Sequence, residues 1–170
     1  MKRILFYSLL LVQAIVILLI FVQYNLIGVY GTEIKLLRDG TYTGTQSYDD
    51  QYDTIYIDYE INSLSNEIWE IEEELNYDEK IYVVLEPNES EIHQGVRVTR
   101  EKPKVSSNQV ILPGRYVSSN TAENEHFVNY DIEKVNNYDE QYKLESEKQW
   151  VITIKVAPWG QKAIVDIENE

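Results

Sequence analysis

DTIYIDYEI, residues 53–61, carries an apolar or aromatic side chain at every second position from Ile55 to Ile61. Ile55, Ile57, Tyr59 and Ile61 share one face of an extended chain, and the side chains between them occupy the other. Successive side chains of a β-strand point to opposite faces, so this period of two is typical of a strand with one buried face. The segment therefore predicts a half-buried strand.

Similar short patterns recur on both sides of this segment. Strands are predicted at residues 33–37, 80–86, 95–99, 109–112, 150–156 and 162–167. The Pro and Gly of residues 157–161, APWGQ, favour a hairpin between the last two strands. Residues 65–75 and 137–148 carry helix-like spacing, whereas residues 118–125 read as a loop. Together these elements predict a mainly β domain, either an antiparallel sandwich or a partly open barrel with one or two short helices.

An unbroken apolar run, ILFYSLLLVQAIVILLIFV, occupies residues 4–22 and predicts an N-terminal transmembrane helix. At about 1.5 Å per residue such a helix is roughly 28 Å long, close to the thickness of a bilayer's hydrocarbon core. A cleaved signal peptide is the alternative, but its apolar region is normally shorter than this run. The length therefore favours an uncleaved anchor.

The flanking charges predict the orientation of this anchor. Lys2 and Arg3 precede the run, and the first charge after it is Glu33. Positive charge at the amino end favours a cytoplasmic N-terminus. The chain is thus expected to comprise a cytoplasmic N-terminus (1–3), a transmembrane helix (4–22), a juxtamembrane linker (23–31) and an extracytoplasmic domain (32–170). We expect it in the bacterial cytoplasmic membrane as a single-pass protein.

The composition excludes several classes of function. Beyond residue 31 there are 13 basic and 29 acidic side chains, a formal net charge of −16, which opposes binding to nucleic acid. The chain contains no cysteine, which excludes disulfides, zinc–thiolate sites and cysteine nucleophiles. The outer domain must therefore be stabilised by its core alone.

No motif in the sequence predicts a catalytic, cofactor-binding or metal-binding residue. His93 and His126 lie far apart, and no Gly-x-Ser-x-Gly elbow presents a serine nucleophile. Asp49, Asp50 and Asp53 are close in sequence but lack the order of a calcium loop. The expectation is a protein without a cofactor.

Three stretches carry a resemblance to a known family. Residues 52–59 read YDTIYIDY, residues 113–115 read PGR, and residues 130–134 read YDIEK. In this order they resemble the GDYXXLXY family, membrane-anchored bacterial proteins named for a strand motif. Tyr52 and Asp131 replace two glycines of the family pattern, and Thr54 replaces its first tyrosine. The resemblance singles out eight residues: Asp53, Ile57, Tyr59, Gly114, Arg115, Tyr130, Ile132 and Glu133.

The resemblance implies a tethered domain that works through a partner, because members of the family occur beside multi-pass membrane proteins and have no established activity. A non-enzymatic accessory or interaction module is the leading interpretation, and a cell-envelope hydrolase is the alternative. A hydrolase would bring acidic or Ser and Lys side chains together in a cleft. Asp53, Tyr59, Arg115 and Glu133 are the residues to examine, and a buried contact between Arg115 and Glu133 is one hypothesis.

Overall fold

A computed structural model describes residues 2–39, 55–135 and 149–169. A single long helix, α1 (Lys2–Tyr30), precedes ten strands in this part of the chain. The strands are β1 (Thr32–Leu37), β2 (Ile55–Tyr56), β3 (Ser63–Ser65), β4 (Lys80–Pro87), β5 (His93–Thr99), β6 (Val110–Asn120), β7 (Glu125–Asn129), β8 (Lys134–Val135), β9 (Trp150–Val156) and β10 (Lys162–Asn169).

Helix α1 is long and apolar enough to span a membrane over Phe6–Tyr30. Its side chains from Phe6 to Ile20 are exposed, so they pack against no other part of the described chain. The helix continues through residues 23–30, where the sequence predicted a linker, because those residues include no proline that would end it. At its end the Gly31 N–H donates to the Ile27 carbonyl at 2.9 Å. Strand β1 therefore follows the helix almost directly.

The strands form three antiparallel sheets. Their orders are β1-β9-β10, β2-β8 and β3-β7-β6-β4-β5, and one sheet curls into a half-barrel. This architecture confirms the mainly β prediction. Thr32 pairs with Val156, which pairs in turn with Lys162. The turn of the β9–β10 hairpin therefore lies at the end of the sheet where α1 enters. The predicted hairpin is confirmed, and the Ala157 N–H donates to the Gln161 carbonyl at 2.8 Å across its turn.

The inner faces of the two larger sheets share one hydrophobic core. Ile34 and Leu36 of β1, Ile152 and Ile154 of β9, and Val83 of β4 are fully buried in it. Strand β9 is buried at nearly every position and is the central strand of its sheet. Burial of these side chains, at about 25 cal/mol per Å² of apolar area, stabilises a domain that has no disulfide.

The alternating segment buries the predicted face, but little of it is regular strand. Ile57, Tyr59 and Ile61 are buried, whereas Tyr56, Asp58 and Glu60 are exposed. Strand β2 ends at Tyr56, and a 3₁₀ turn follows at Glu60–Asn62. The turn forms because the Asn62 side chain accepts the Tyr59 N–H at 2.7 Å. In a continuing β-strand, a carbonyl of the neighbouring strand would accept this N–H instead. Asp53 and Thr54 lie outside the described residues.

The helix predicted at residues 65–75 is wrong. Strand β3 ends at Ser65, a three-residue 3₁₀ turn follows at Asn66–Ile68, and no regular helix continues from it. The Glu70 N–H instead donates to the Val98 carbonyl of β5 at 3.0 Å. Several adjacent glutamates disfavour a helix through like-charge repulsion, and the apolar side chains reach the core from an extended chain. The helix predicted at 137–148 lies outside the described residues.

The loop predicted at residues 118–125 is right only for residues 121–124, which form a turn. Strand β6 runs on to Asn120, and β7 begins at Glu125, so only a tight turn separates them. The family motif at residues 113–115 lies inside β6. Pro113 is tolerated there because β7 pairs with β6 only from Arg115 onward, which leaves one edge of β6 unpaired at the proline.

Candidate functional site

Three buried residues, Tyr59, Tyr130 and Glu133, and the half-buried Asn62 form what we call the tyrosine–glutamate network. They come from two segments that cross near the β2–β8 pair. The Tyr59 hydroxyl donates to the Ile132 carbonyl at 3.1 Å. The Tyr130 hydroxyl donates in the other direction, to the Ile61 carbonyl at 2.7 Å. Each tyrosine therefore ties its own segment to the backbone of the other.

Glu133 is the centre of this network. One carboxylate oxygen accepts the Tyr130 N–H at 2.6 Å and the Asn62 side-chain amide at 2.8 Å. The other oxygen accepts the Ile132 N–H at 2.9 Å. Only 9 % of Glu133 is exposed to solvent. A buried carboxylate is tolerated only with such partners, and these three donors supply them.

Asn62 connects the two segments and was missed from the sequence. Its amide nitrogen donates to the Val128 carbonyl at 2.7 Å as well as to Glu133, while its oxygen accepts the Tyr59 N–H. Both amide hydrogens and the oxygen are thus used. The one signal in the sequence was an asparagine directly after an alternating run, where such residues often close turns by bonding to nearby backbone.

The two tyrosines are held in their neutral, donating form. Burial, followed by the nearby Glu133 carboxylate, raises the pKa of Tyr59 well above its ordinary value. The same two causes raise the pKa of Tyr130. Burial also raises the pKa of Asp58, with Asp39 and Glu133 adding to the effect. The electrostatic potential around the network is therefore negative, which favours hydroxyl groups that keep their protons and donate hydrogen bonds.

Lys162 of β10 closes the network from the first sheet and was also missed from the sequence. Its ammonium group donates to the carbonyls of Tyr130 and Pro113, each at 2.6 Å. Burial lowers the pKa of Lys162, although the negative charges of Asp131 and Glu133 oppose that shift. This lysine joins the three-stranded sheet to the five-stranded sheet.

The backbone conformation explains the residue at one position of the family pattern, Asp131, and close packing explains the residue at another, Gly114. Asp131, where the family has Gly, adopts a left-handed φ of 58°, a conformation that Asp tolerates better than most side chains do. Its N–H donates to the Asn129 side chain at 2.8 Å. Gly114 lies beneath Tyr130, and a Cβ there would be 2.6 Å from Val128 Cγ1 and 3.1 Å from the tyrosine ring. The glycine lets the ring lie against β6.

The remaining described family residues take no part in the tyrosine–glutamate network through their side chains. Ile57 and Ile132 are core residues. Arg115 is 47 % exposed and pairs with Asp78 at 3.1 Å and with Asp131 at 3.9 Å. The hypothesis of a buried Arg115–Glu133 contact is therefore wrong, since Glu133 binds amide donors instead. Asp53 lies outside the described residues.

The geometry of the network favours a structural role over a catalytic one. A general base needs a carboxylate oxygen that faces substrate, but both oxygens of Glu133 are occupied and shielded. The tyrosine hydroxyls donate to backbone carbonyls in the interior. Of the predicted residues, Tyr59, Tyr130 and Glu133 are brought together, and none of them lines any of three well-formed clefts in the described part of the chain.

The two histidines occupy separate places on the five-stranded sheet. His93 Nδ1 accepts the Lys35 N–H at 3.2 Å, and burial lowers the pKa of this histidine. His126 stacks on Trp69 with ring centroids 3.9 Å apart, and its pKa is likewise lowered by burial. Within the described residues no group of three or more His, Asp or Glu side chains is placed to hold a metal ion.

A helix long and apolar enough to span a membrane, followed by a mainly β domain with a buried polar network, is consistent with a membrane-anchored β protein. The chain belongs to the GDYXXLXY family, whose model, described as GDYXXLXY protein, matches residues 51–167. Neither the curated proteins nor the solved structures contain a match to this chain.

Proposed function

We propose that this protein is a non-enzymatic accessory module that acts by binding a partner within a bacterial membrane assembly. The observation that carries the proposal is the tyrosine–glutamate network: three of the polar residues that mark the family, Tyr59, Tyr130 and Glu133, hold two segments together. Residues that stabilise the fold supply no group for a reaction. Residues of this kind maintain one fold among the members of a family. A partner that recognises the surface of the domain requires such a constant fold.

The proposed location is the outer face of the cytoplasmic membrane, with α1 as a single-pass anchor. Lys2 and Arg3 precede the apolar run and favour a cytoplasmic N-terminus. The direct passage from α1 into β1, with the Lys155 ammonium donating to the Gly28 carbonyl at 2.7 Å, supports a domain seated at the membrane surface. A positive side chain there also suits the negative end of the helix dipole. Cysteine labelling across an intact membrane measures this topology.

The proposed partner is a multi-pass membrane protein, and we assign its recognition to the β domain. Within residues 4–22 only Ser8 and Gln13 offer aliphatic polar groups, which gives α1 few means of specifying a partner. The β domain, in contrast, presents a defined surface on a rigid core. Specific recognition thus requires the domain, and α1 confines it to the membrane.

Co-purification from native membranes tests this function. The full-length tagged protein, extracted in mild detergent, is expected to carry one multi-pass protein in stoichiometric amount. A control in which an unrelated apolar helix of equal length replaces α1 should retain that partner. A Glu133→Ala variant, whose domain is destabilised, should lose it. A wild-type protein that purifies alone, even after crosslinking in the membrane, would contradict the proposal.

A further inference from the structure

A cleft of about 440 Å³ lies between the β9–β10 hairpin and the beginnings of β4 and β6. We call it the juxtamembrane cleft. It was not foreseen from the sequence, and it shares no side chain with the tyrosine–glutamate network. The residues that line it include Thr32, Lys80, Tyr82, Lys102, Pro113 and Trp159.

The topology places this cleft at the end of the domain where α1 enters. Thr32, one of its lining residues, is two residues beyond the end of α1. Strand β9 runs antiparallel to β1, so its end at Val156 returns to Thr32, and the hairpin follows directly. If α1 spans the bilayer as proposed, the cleft opens close to the lipid headgroups.

The charge of the cleft differs from that of the whole chain. Two ammonium groups, on Lys80 and Lys102, line it, and its described lining includes no carboxylate. The chain as a whole carries a net charge of −14, and a neighbouring groove is lined by Glu70, Glu72 and Glu73. Positive charge is therefore concentrated where the rest of the surface is acidic, which favours an anionic ligand.

The two lysines of the cleft are available to a ligand, in contrast to Lys155 of β9 and Lys162 of β10. Lys155 donates to the Gly28 carbonyl, and Lys162 donates to Pro113 and Tyr130. Lys80 lies 5.1 Å from the centroid of the Tyr82 ring, a cation–π contact that holds the ammonium group at the cleft. Neither Lys80 nor Lys102 has an ion-pair partner among the described residues.

Trp159 supplies the apolar side of the cleft. It lies at the tip of the hairpin, is 47 % exposed, and donates its indole N–H to the Gln161 side chain at 2.7 Å. Tryptophan is enriched at membrane–water interfaces because its ring is apolar and its N–H is polar. An exposed tryptophan beside two lysines suits a ligand that has both an anionic group and an apolar part.

We propose that the juxtamembrane cleft binds the phosphate headgroup of an anionic phospholipid from the leaflet on which the domain rests. This proposal rests on the membrane anchorage proposed above. The acidic surface does not prevent such binding, because charges beyond the Debye length of about 8 Å at physiological salt are largely screened. The lysines of the cleft are in direct reach of a headgroup, so their attraction dominates.

Lipid titration of the purified full-length protein, followed by native mass spectrometry, tests the proposal. Phosphatidylglycerol is compared with zwitterionic phosphatidylcholine. A lysine near anionic headgroups contributes a factor of about five in affinity, so a Lys80→Gln/Lys102→Gln variant should bind phosphatidylglycerol about 25-fold more weakly than wild type. The control, Lys35→Gln/Lys134→Gln, removes the same charge outside the cleft and should stay within about twofold of wild type.

Four results would overturn the proposal. The first three are equal affinity of wild type for the two lipids, equal loss in both double variants, and unchanged affinity in the cleft variant. A fourth is binding of soluble glycerol phosphate as tight as that of the lipid, which would assign the cleft to a soluble anion. An alkaline wash of the membranes tests the anchor separately. If each variant stays in the washed membranes, the anchorage holds and the four results concern the cleft alone. Unchanged thermal unfolding shows that the substitutions leave the fold intact.

Discussion

Replacing Glu133 by Ala is expected to lower the free energy of unfolding by about 3–5 kcal/mol, because two buried and one half-buried N–H donors lose their acceptor at once. Those donors are the backbone amides of Tyr130 and Ile132 and the side-chain amide of Asn62. Since whole domains are stable by only about 5–15 kcal/mol, this loss removes a large share of the total. Urea unfolding of the full-length protein in detergent, followed by tryptophan emission, measures it.

Two further variants make the result specific to the carboxylate. Glu133→Gln keeps one acceptor oxygen but turns an NH₂ group toward a backbone N–H, so a smaller loss of about 1–3 kcal/mol is expected. Glu168→Ala removes an exposed carboxylate and should change stability by no more than about 0.5 kcal/mol. If Glu133→Ala unfolded at the same urea concentration as Glu168→Ala, the network would not have the structural role assigned to it.

Replacing Gly114 by Ala is expected to cost about 2–3 kcal/mol, because the added methyl group overlaps a packed core. The new Cβ would lie 2.6 Å from Val128 Cγ1, in a side chain that is only 2 % exposed. Gly28→Ala is the matched control, since outside the adjoining helix backbone and its two chain neighbours nothing lies within 4 Å of the corresponding Cβ. Thermal unfolding monitored by near-ultraviolet circular dichroism compares the two variants.

A double variant tests the cause of this effect. Val128→Ala removes the methyl group that a Cβ at Gly114 would strike, so Gly114→Ala/Val128→Ala should be less destabilised than the sum of the two single variants. The coupling is expected to be about 1 kcal/mol or more. Strict additivity would mean that the glycine serves the backbone of β6 rather than the packing of Val128 and Tyr130.

The sequence was most informative where hydrophobic alternation and turn residues agree. Strand β9 begins and ends at the predicted residues, and the hairpin after it has its predicted Pro and Gly. Gly160 of that hairpin has a φ of 95°, which glycine adopts without strain. At residues 65–75 the apolar spacing fitted a helix, but contacts with β5 decide the conformation there, and a local pattern cannot show them.

The candidate site could be predicted only in part. The resemblance to the family identified Tyr59, Tyr130 and Glu133, and the structure brings these three together. It could not supply Asn62 or Lys162, because these residues meet the others through bonds between distant parts of the chain. The pairing of Arg115 with Asp78 rather than with Glu133 depends likewise on the register of β4 against β6.

The central claim is that α1 crosses the membrane once and holds the β domain outside the cytoplasm. Because the chain has no cysteine, one engineered thiol reports its own location. In Ser118→Cys the thiol replaces an exposed hydroxyl of the domain, and in Ala14→Cys it lies in the middle of the apolar helix. The measurement is labelling by a membrane-impermeant maleimide in spheroplasts, before and after lysis.

We expect Ser118→Cys to be labelled fully in intact spheroplasts and Ala14→Cys to resist labelling even after lysis. The labelled chain should keep its full length and remain in the membrane after an alkaline wash. Labelling of Ser118→Cys only after lysis would place the domain in the cytoplasm. A shortened chain released by the wash would show that α1 is a cleaved signal peptide, and either result would contradict the claim.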